Sequence, residues 1–187
     1  MSPRLGSSGV GSVPRSRRHH GHGEAPRPIG CAVITISDTR GPREDRSGDR
    51  IQRLVERAGH AVVSRAWVRD EAAPLRRATR AVLRDPRVDV VITTGGTGVA
   101  PRDRTPDALG PLVQRWLPGF GERFRSESVA QIGTAAWLSR SAAGIARGKL
   151  LVMLPGSTGA VELAMRRVLL PELVHVVRLI GRFGQED

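Results

Sequence analysis

Residues 88 to 98, Val-Asp-Val-Val-Ile-Thr-Thr-Gly-Gly-Thr-Gly, are the stretch that best indicates the fold of this chain. The first part, Val88 to Thr93, is an apolar, β-branched run typical of a strand buried on both faces. Thr94 to Gly98 follow as a glycine-rich loop. Glycines allow a ligand to approach the backbone closely, and exposed N–H groups form an anion-binding concavity. The loop matches neither a P-loop nor the Rossmann fingerprint, so an ordinary strand-to-helix turn is the alternative.

Strands and helices alternate on both sides of this stretch. Further strands are predicted at Cys31 to Ser37, Ala61 to Val68 and Lys149 to Met153. Because these runs are mostly apolar and lie between amphipathic helices, we expect a mainly parallel sheet with right-handed crossovers and helices on both faces. The predicted fold class is therefore α/β, a three-layer α/β/α arrangement with a mainly parallel sheet.

Capping residues predict the limits of the first two helices. Ser47 is the predicted N-cap of the first helix, and Gly59 stands where a left-handed residue ends it. Pro74 suits the first turn of the second helix.

Two later helices are predicted from the same signals. Thr105 is the predicted cap of one of them, with Pro106 at its first position and a buried side that runs from Leu109 to Trp116. The other follows Pro155, and Pro171 is expected to interrupt it.

Polar side chains follow the first two strands. Ser37 and Asp38 end the first strand, and Arg69, Asp70 and Glu71 end the second. Ligands of open parallel sheets bind beyond the carboxyl ends of the strands. We therefore expect these groups to lie near the glycine loop.

The segment Arg102-Asp-Arg-Thr-Pro-Asp107 places carboxylates and two guanidinium groups just after the glycine loop. This mixture suits a phosphate ligand together with Mg²⁺, which takes hard oxygen ligands and usually one or two protein carboxylates. Asp103 is the candidate Mg²⁺ ligand. For Asp107 the alternative is a first-turn acid that complements the helix dipole.

A second loop between strand and helix is predicted at Leu154-Pro-Gly-Ser-Thr158. Its N–H groups and hydroxyls could bind another anionic or polar group. The alternative for Ser157 is a plain N-cap.

Composition separates a tail from one domain. Residues 1 to 28 are basic and almost devoid of apolar side chains, so we predict a disordered tail followed by a single domain over residues 29 to 187. The net charge of +12 is scattered, and aromatic residues are few, so we expect no nucleic-acid partner.

The location of the protein is predicted from its single cysteine and its apolar runs. Cys31 lies within an apolar run and is expected to be a buried core residue rather than a reactive thiol. No disulfide is possible within the chain, which favours a cytoplasmic protein. No apolar run is long enough for a membrane span or a signal peptide.

The chain resembles the MoaB/Mog family of molybdenum-cofactor biosynthesis, over about Ile29 to Ile180. The resemblance rests on seven ordered motifs: Ser37-Asp-Thr-Arg40, Asp45-Arg-Ser-Gly48, Thr94-Gly-Gly-Thr-Gly98, Arg102-Asp-Arg-Thr-Pro-Asp107, Pro118-Gly-Phe-Gly-Glu122, Leu138-Ser-Arg-Ser-Ala-Ala-Gly144 and Leu154-Pro-Gly-Ser157. It implies a three-layer α/β fold and a homo-oligomer, a trimer or a hexamer. It also implies adenylylation of molybdopterin with Mg²⁺ and ATP, with release of pyrophosphate.

The resemblance also implies roles for individual residues. The catalytic acids of the family fall on Asp103 and Asp70. The residues expected to bind the pterin phosphate and the nucleotide are Ser37, Asp38, Thr94, Gly95, Gly96, Thr97, Gly98, Arg102, Thr105, Asp107, Pro155, Gly156, Ser157 and Thr158. An apolar surface around Trp116 to Phe124 is expected between subunits.

Two functions remain open at this point. The spacing around Gly41 to Asp45 and the sequence Ser157-Thr-Gly159 resemble the MoaB branch, in which adenylyl transfer is not general, whereas Arg102 to Asp107 resemble the Mog pattern. The first hypothesis is an adenylyltransferase. The second is a non-catalytic molybdopterin-binding or scaffolding protein. A nucleotide-processing relative of the competence-damage proteins is disfavoured, because those usually carry an additional domain.

Overall fold

The computed structural model describes residues 27–38 and 41–183. Most of the predicted tail, residues 1–26, lies outside the described residues. Of the two tail residues that are described, Arg27 pairs with Asp89 at 2.6 Å.

The described part forms a six-stranded sheet with the order β2-β1-β3-β6-β5-β4. Its strands are β1 (Gly30–Ile36), β2 (Ala61–Val68), β3 (Val90–Thr94), β4 (Arg115–Trp116), β5 (Ala142–Ala146) and β6 (Lys149–Leu154). The first four strands in this order pair in parallel. β5 pairs antiparallel with β6 and with β4. The predicted α/β class and the mainly parallel sheet are confirmed.

Helices cover both faces of the sheet. They are α1 (Arg46–Arg57), α2 (Ala72–Arg84), α3 (Thr105–Leu109), α4 (Pro118–Ile132), α5 (Thr158–Ala164) and α6 (Leu170–Phe183). α1, α5 and α6 bury their apolar stripes against one face, together with Phe124 of α4. α2 and α3 pack against the other face. This is the three-layer arrangement expected when both faces of a parallel sheet are apolar.

The first two helices differ in one detail from the sequence prediction. α1 begins at Arg46, and its N-cap is Asp45, whose carboxylate accepts from the Gly48 N–H at 2.8 Å. The Ser47 prediction was therefore wrong, because the carboxylate of Asp45 takes the capping position. Gly59 has φ +81°, as its predicted left-handed position requires, and Pro74 lies in the first turn of α2.

The region after the glycine loop differs more from the sequence prediction. α3 ends at Leu109, and its N-cap is Arg104 rather than Thr105. Leu109 is buried, and Leu112 and Val113 pack against the core, as predicted. Trp116 belongs to the short edge strand β4 and is 44% exposed, so its place on the buried side was wrong. Phe124 is 2% exposed within its own subunit, which removes it from the expected intersubunit surface.

Pro171 does not interrupt the last helix. A π-helical segment, Met165–Leu169, joins α5 to α6, and the Leu170 N–H bonds to the carbonyl of Met165. The wider π turn gives room to the proline ring, which collides with the carbonyl four residues earlier in a regular α-helix. The helix therefore continues where the sequence predicted a break.

Cys31 has no exposed surface, and burial raises the pKa of its thiol to about 12. The prediction of a core cysteine is confirmed. Within residues 27–38 and 41–183, no helix has the length and apolar character needed to cross a membrane.

Candidate functional site

A cavity of about 320 Å³ opens at the carboxyl ends of β1, β3 and β6. Of the residues singled out in the sequence, its lining contains Ser37, Asp38, Asp70, Thr94, Gly95, Gly96, Thr97, Gly98, Arg102, Asp103, Pro155, Gly156 and Ser157. These residues come from four separate loops, and the parallel sheet brings them to one edge. Thr105, Asp107 and Thr158 are not part of the lining.

The glycine loop has a backbone that other residues rarely adopt. Gly95 has φ +115° and Gly96 has φ +63°. A Cβ on Gly95 would lie 2.3 Å from the carbonyl oxygen of Ile36. Thr105 is buried behind the loop, and its hydroxyl donates to the Gly95 carbonyl at 2.9 Å while its N–H donates to the Gly96 carbonyl at 3.0 Å. Thr105 therefore supports the loop.

Asp70 is the acid that lies against this loop. A Cβ on Gly96 would lie 3.1 Å from the Oδ1 atom of Asp70. That Oδ1 atom is buried, and no donor in the described part of the chain reaches it. Burial raises the pKa of the Asp70 carboxyl, and the charges of Asp38 and Asp103 raise it further. A buried carboxylate oxygen without a donor is costly unless a ligand, water or cation completes it.

Asp103 lies at the Gly98 end of the glycine loop. Its Oδ2 atom would be 2.6 Å from a Cβ on Gly98, so the carboxylate packs directly against that glycine. It accepts one hydrogen bond from the Ala100 N–H at 3.0 Å. We call Asp70, Gly95–Gly98 and Asp103 together the loop wall of the cavity.

The side of the cavity formed by α1 and β1 is built differently, and we call its members Thr35, Asp45, Ser47 and Trp67 the α1 wall. Asp45 accepts from the Thr35 hydroxyl at 2.7 Å and from Arg65 at 2.7 Å, in addition to its helix cap. The Ser47 hydroxyl donates to the Gly156 carbonyl at 2.7 Å. These bonds join the start of α1 to β1, to β2 and to the loop after β6.

Hydrogen bonds also fix the second loop, which follows β6 at residues 155–157. The Thr94 hydroxyl donates to the Pro155 carbonyl at 2.7 Å. Ser157 is the N-cap of α5 and accepts from the Ala160 N–H at 3.3 Å, so the plain N-cap reading of Ser157 is confirmed, although the residue also lines the cavity. Thr158 is the first residue of α5.

The charge of the lining is mainly negative. Five acidic residues and two arginines line the cavity: Asp38, Glu44, Asp45, Asp70, Asp103, Arg46 and Arg102. Asp45 is neutralised by Arg65, but the remaining acids repel a polyanion such as a triphosphate unless cations accompany it. The charge therefore favours a phosphate ligand that arrives with a divalent cation.

No group of three or more His, Cys, Asp or Glu residues in the described ranges is arranged to hold a metal ion. Mg²⁺ needs fewer protein ligands when it enters with a nucleotide, because phosphate oxygens and water supply most of its coordination. The unpartnered oxygen of Asp70 suits a cation of this kind, with Asp103 as the second acid of the loop wall.

Sequence reasoning missed several residues of the site. Asp45 was quoted only within a motif, although an acid three residues before a glycine at a helix start is a recognisable capping signal. Trp67 lines the cavity, and its buried indole N–H has no partner in the described part. Arg140, which was also quoted only within a motif, bonds the glycine loop from the segment just before β5. Asp107 pairs with Arg140 at 2.9 Å rather than facing the cavity.

Comparison with known proteins gives consistent results. The family model described as "Probable molybdopterin binding domain" matches residues 32–175. The chain is 46% identical to "Molybdenum cofactor biosynthesis protein B" of Bacillus subtilis (strain 168) over 160 residues, which cover 85% of this chain and 94% of that protein.

Solved structures extend this similarity to the fold. A "Crystal structure of Molybdenum cofactor biosynthesis protein B" matches with a TM-score of 0.82 at 41% identity, covering 85% of this chain and 99% of that one. The molybdopterin biosynthesis Mog protein from Mycobacterium ulcerans matches with a TM-score of 0.74 at 28% identity, covering 81% and 99%.

Proposed function

Because this chain belongs to the family of molybdopterin-binding domains that includes the B proteins of molybdenum cofactor biosynthesis, we propose that it adenylylates molybdopterin with Mg-ATP in that pathway. The terminal phosphate oxygen of molybdopterin attacks the α-phosphorus of ATP. The bond from the α-phosphorus to the bridging oxygen breaks, and pyrophosphate leaves with that electron pair. The products are adenylylated molybdopterin and pyrophosphate.

One observation carries the proposal beyond binding alone, namely the unpartnered, buried Oδ1 atom of Asp70 beside the glycine loop. A protein that only holds a pterin phosphate gains nothing from such an acid, since the acid repels the ligand. An enzyme that joins two phosphorylated substrates gains a group that holds their Mg²⁺ ion. Mg²⁺ offsets the charge that develops on the leaving pyrophosphate.

We assign separate roles in binding and support to the other residues around the cavity. We assign phosphate binding to the N–H groups of Gly95–Gly98 and of the Pro155–Ser157 loop, and charge compensation to Arg102. Ser37 and Asp38 complete the edge at the end of β1. Thr105, Asp107 and Thr158 act indirectly, Thr105 through its bonds to the glycine loop. Bringing two polyanions together in one orientation is itself a large part of catalysis in a reaction of this kind.

The deciding experiment is an assay of pyrophosphate release from purified protein with molybdopterin and Mg-ATP. We expect release that requires both substrates and stops when EDTA removes Mg²⁺. Controls lack either molybdopterin or ATP. Binding of molybdopterin without any release of pyrophosphate would show the non-catalytic alternative instead.

We also propose that the protein is a homo-oligomer, a trimer or a hexamer. Ile132 and Trp137, which are 56% and 73% exposed, offer an apolar surface for this contact. Light scattering at micromolar concentration tests it, and a pure monomer would contradict it.

A further inference from the structure

Asp103 lies at the end of a turn that begins at Ala100. The Asp103 N–H donates to the Ala100 carbonyl at 2.8 Å, and the Ala100 N–H returns a bond to the Asp103 carboxylate. Both bonds are internal to the turn, so they fix its shape but not its place relative to the sheet. The neighbouring Val99 is 62% exposed. The position of the Asp103 carboxylate in the cavity therefore depends on contacts from outside the turn.

Arg140 provides such contacts from the segment before β5. Its Nε donates to the Gly98 carbonyl at 2.8 Å, and its Nη2 donates to the Asp103 carbonyl. Its backbone N–H donates to the Thr97 carbonyl at 2.8 Å. One residue thus holds both ends of the segment that runs from the glycine loop to Asp103.

The base of Arg140 is itself fixed. The next residue, Ser141, is 1% exposed, and its hydroxyl donates to the Met153 carbonyl of β6 at 2.6 Å. β6 also carries the parallel pairing with β3, the strand that leads into the glycine loop. The segment that carries Arg140 is held by β6, and the glycine loop is held by β3, which pairs with β6. Arg140 therefore connects two segments that neighbouring strands hold in place.

The remaining nitrogen of Arg140, Nη1, bonds both oxygens of Asp107, at 2.9 and 3.1 Å. The Asp107 side chain is 65% exposed, and exposed ion pairs contribute little stability. The bonds to the Gly98 and Asp103 carbonyls are the part that shapes the cavity. A lysine has no rigid fork and cannot replace both of them at once.

We propose that Arg140 is a positioning residue, which places the Asp103 carboxylate and the Gly98 wall by clamping residues 97–103 to the sheet. The role in turnover rests on the proposed adenylyl transfer. Loss of a fixed orientation lowers the rate of the chemical step more than it lowers substrate binding. We expect Arg140→Ala to lower kcat by roughly 10- to 100-fold, with a smaller change in KM.

The experiment compares Arg140→Ala and Arg140→Lys with Asp107→Asn and a control, Arg87→Ala. Arg87 is an exposed arginine that pairs with Asp85 at the start of β3, at the opposite end of that strand from the glycine loop. Two readouts are used: hydrogen–deuterium exchange of the peptide over residues 97–104, and kcat and KM for pyrophosphate release. Guanidinium ion is added to Arg140→Ala at concentrations far below those that unfold the protein.

The expected result is faster exchange in residues 97–104 for both Arg140 variants, unchanged exchange elsewhere, and a loss of kcat that guanidinium partly restores. Asp107→Asn should affect exchange and kcat less than either Arg140 variant does, because it leaves the bonds from Arg140 to the Gly98 and Asp103 carbonyls in place. Arg87→Ala should stay near wild type. Unchanged exchange in Arg140→Ala would overturn the inference, whatever the activity. Faster exchange with wild-type kcat, or Asp107→Asn as damaged as Arg140→Ala, would overturn it as well.

An inactive wild-type protein would refute the proposed function but still leave the inference testable. Hydrogen–deuterium exchange then decides alone. Faster exchange of residues 97–104 in Arg140→Ala than in wild type supports the clamp, and equal exchange overturns it.

Discussion

Asp45 and Asp70 both line the cavity, but Asp45 belongs to the α1 wall and Asp70 to the loop wall, and their surroundings differ. Asp45 is 8% exposed and accepts from a hydroxyl, an arginine and a backbone N–H. Asp70 keeps a buried oxygen that no described donor reaches. A saturated carboxylate holds a structure together, whereas an unsaturated one is available to a ligand. The contrast therefore distinguishes Asp45, which holds the structure together, from Asp70, to which we assign a ligand in the proposed function.

The largest effect should follow from Asp45→Ala, which removes the helix cap, the acceptor of the Thr35 hydroxyl and the more buried of the two acidic partners of Arg65. We expect the free energy of unfolding to fall by about 3 kcal/mol, as for loss of a cap combined with one partner of a largely buried ion pair. Urea denaturation measures it. The matched control is Asp49→Ala, since Asp49 also pairs with Arg65 but its side chain is 48% exposed. Equal losses of unfolding free energy for the two variants would show that Asp45 has no special structural role.

Asp103→Asn tests the loop wall, where we expect the loss of a carboxylate to lower activity rather than stability. We expect turnover to fall roughly 100-fold, as for other losses of charge stabilisation in a transition state, while the free energy of unfolding changes by less than about 1 kcal/mol. Pyrophosphate release and thermal unfolding are measured on the same preparations, with Asp85→Asn as control. Normal turnover, or an unfolded variant, would make Asp103 a structural loop acid.

Asp70→Asn should lower turnover less than Asp103→Asn and should have a distinctive pH dependence. Because the pKa of Asp70 is raised in the folded protein, its ionised form opposes folding above that pKa, and the opposition disappears below the ordinary value of 3.8. The variant should therefore melt at a higher temperature than wild type at pH 7, and the difference should shrink as the pH falls toward 3.8. A lower melting temperature at pH 7 would show that the charge is already compensated.

The smallest effect is expected from removal of residues 1–26. Their composition offers little apolar surface to bury, and the truncated chain keeps Arg27, which pairs with Asp89. Melting temperature, oligomeric state and turnover should all stay near those of the full chain. A loss in any of them would show that the two walls do not account for the function alone.

The sequence was sufficient for the four parallel strands of the six-stranded sheet. Continuous apolar runs predict β1, β3 and β6, because these strands are almost wholly buried and the signal is local. β2 is a mostly apolar run at the edge of the sheet. β4 has two residues, and β5 is rich in Ala and Gly. α4 begins with Pro-Gly-Phe-Gly, which indicates a turn rather than a helix. These elements depend on contacts with β6 and with the core, which single-sequence patterns do not record.

The candidate site also has a part that the sequence predicts and a part that it does not. The glycine loop, Asp70 and Asp103 follow predicted strands directly, so topology alone brings them together. The clamp by Arg140 depends on a partner 42 residues away in the chain, at the Gly98 carbonyl. The partner of Asp45 at Arg65 lies 20 residues away. No local pattern gives such pairings, because they follow from the register of the assembled sheet.

The hairpin between β5 and β6 controls the cavity from the far end of the sheet. Arg147 and Gly148 form its two-residue turn with φ values of 51° and 68°, the geometry of a type I′ turn. If the two-residue turn is kept, one residue inserted beside it shifts β5 by about 3.3 Å against β6 and exchanges its two faces. Arg140 would then turn away from Gly98. Although this turn is exposed and far from every substrate group, its length should tolerate no insertion or deletion.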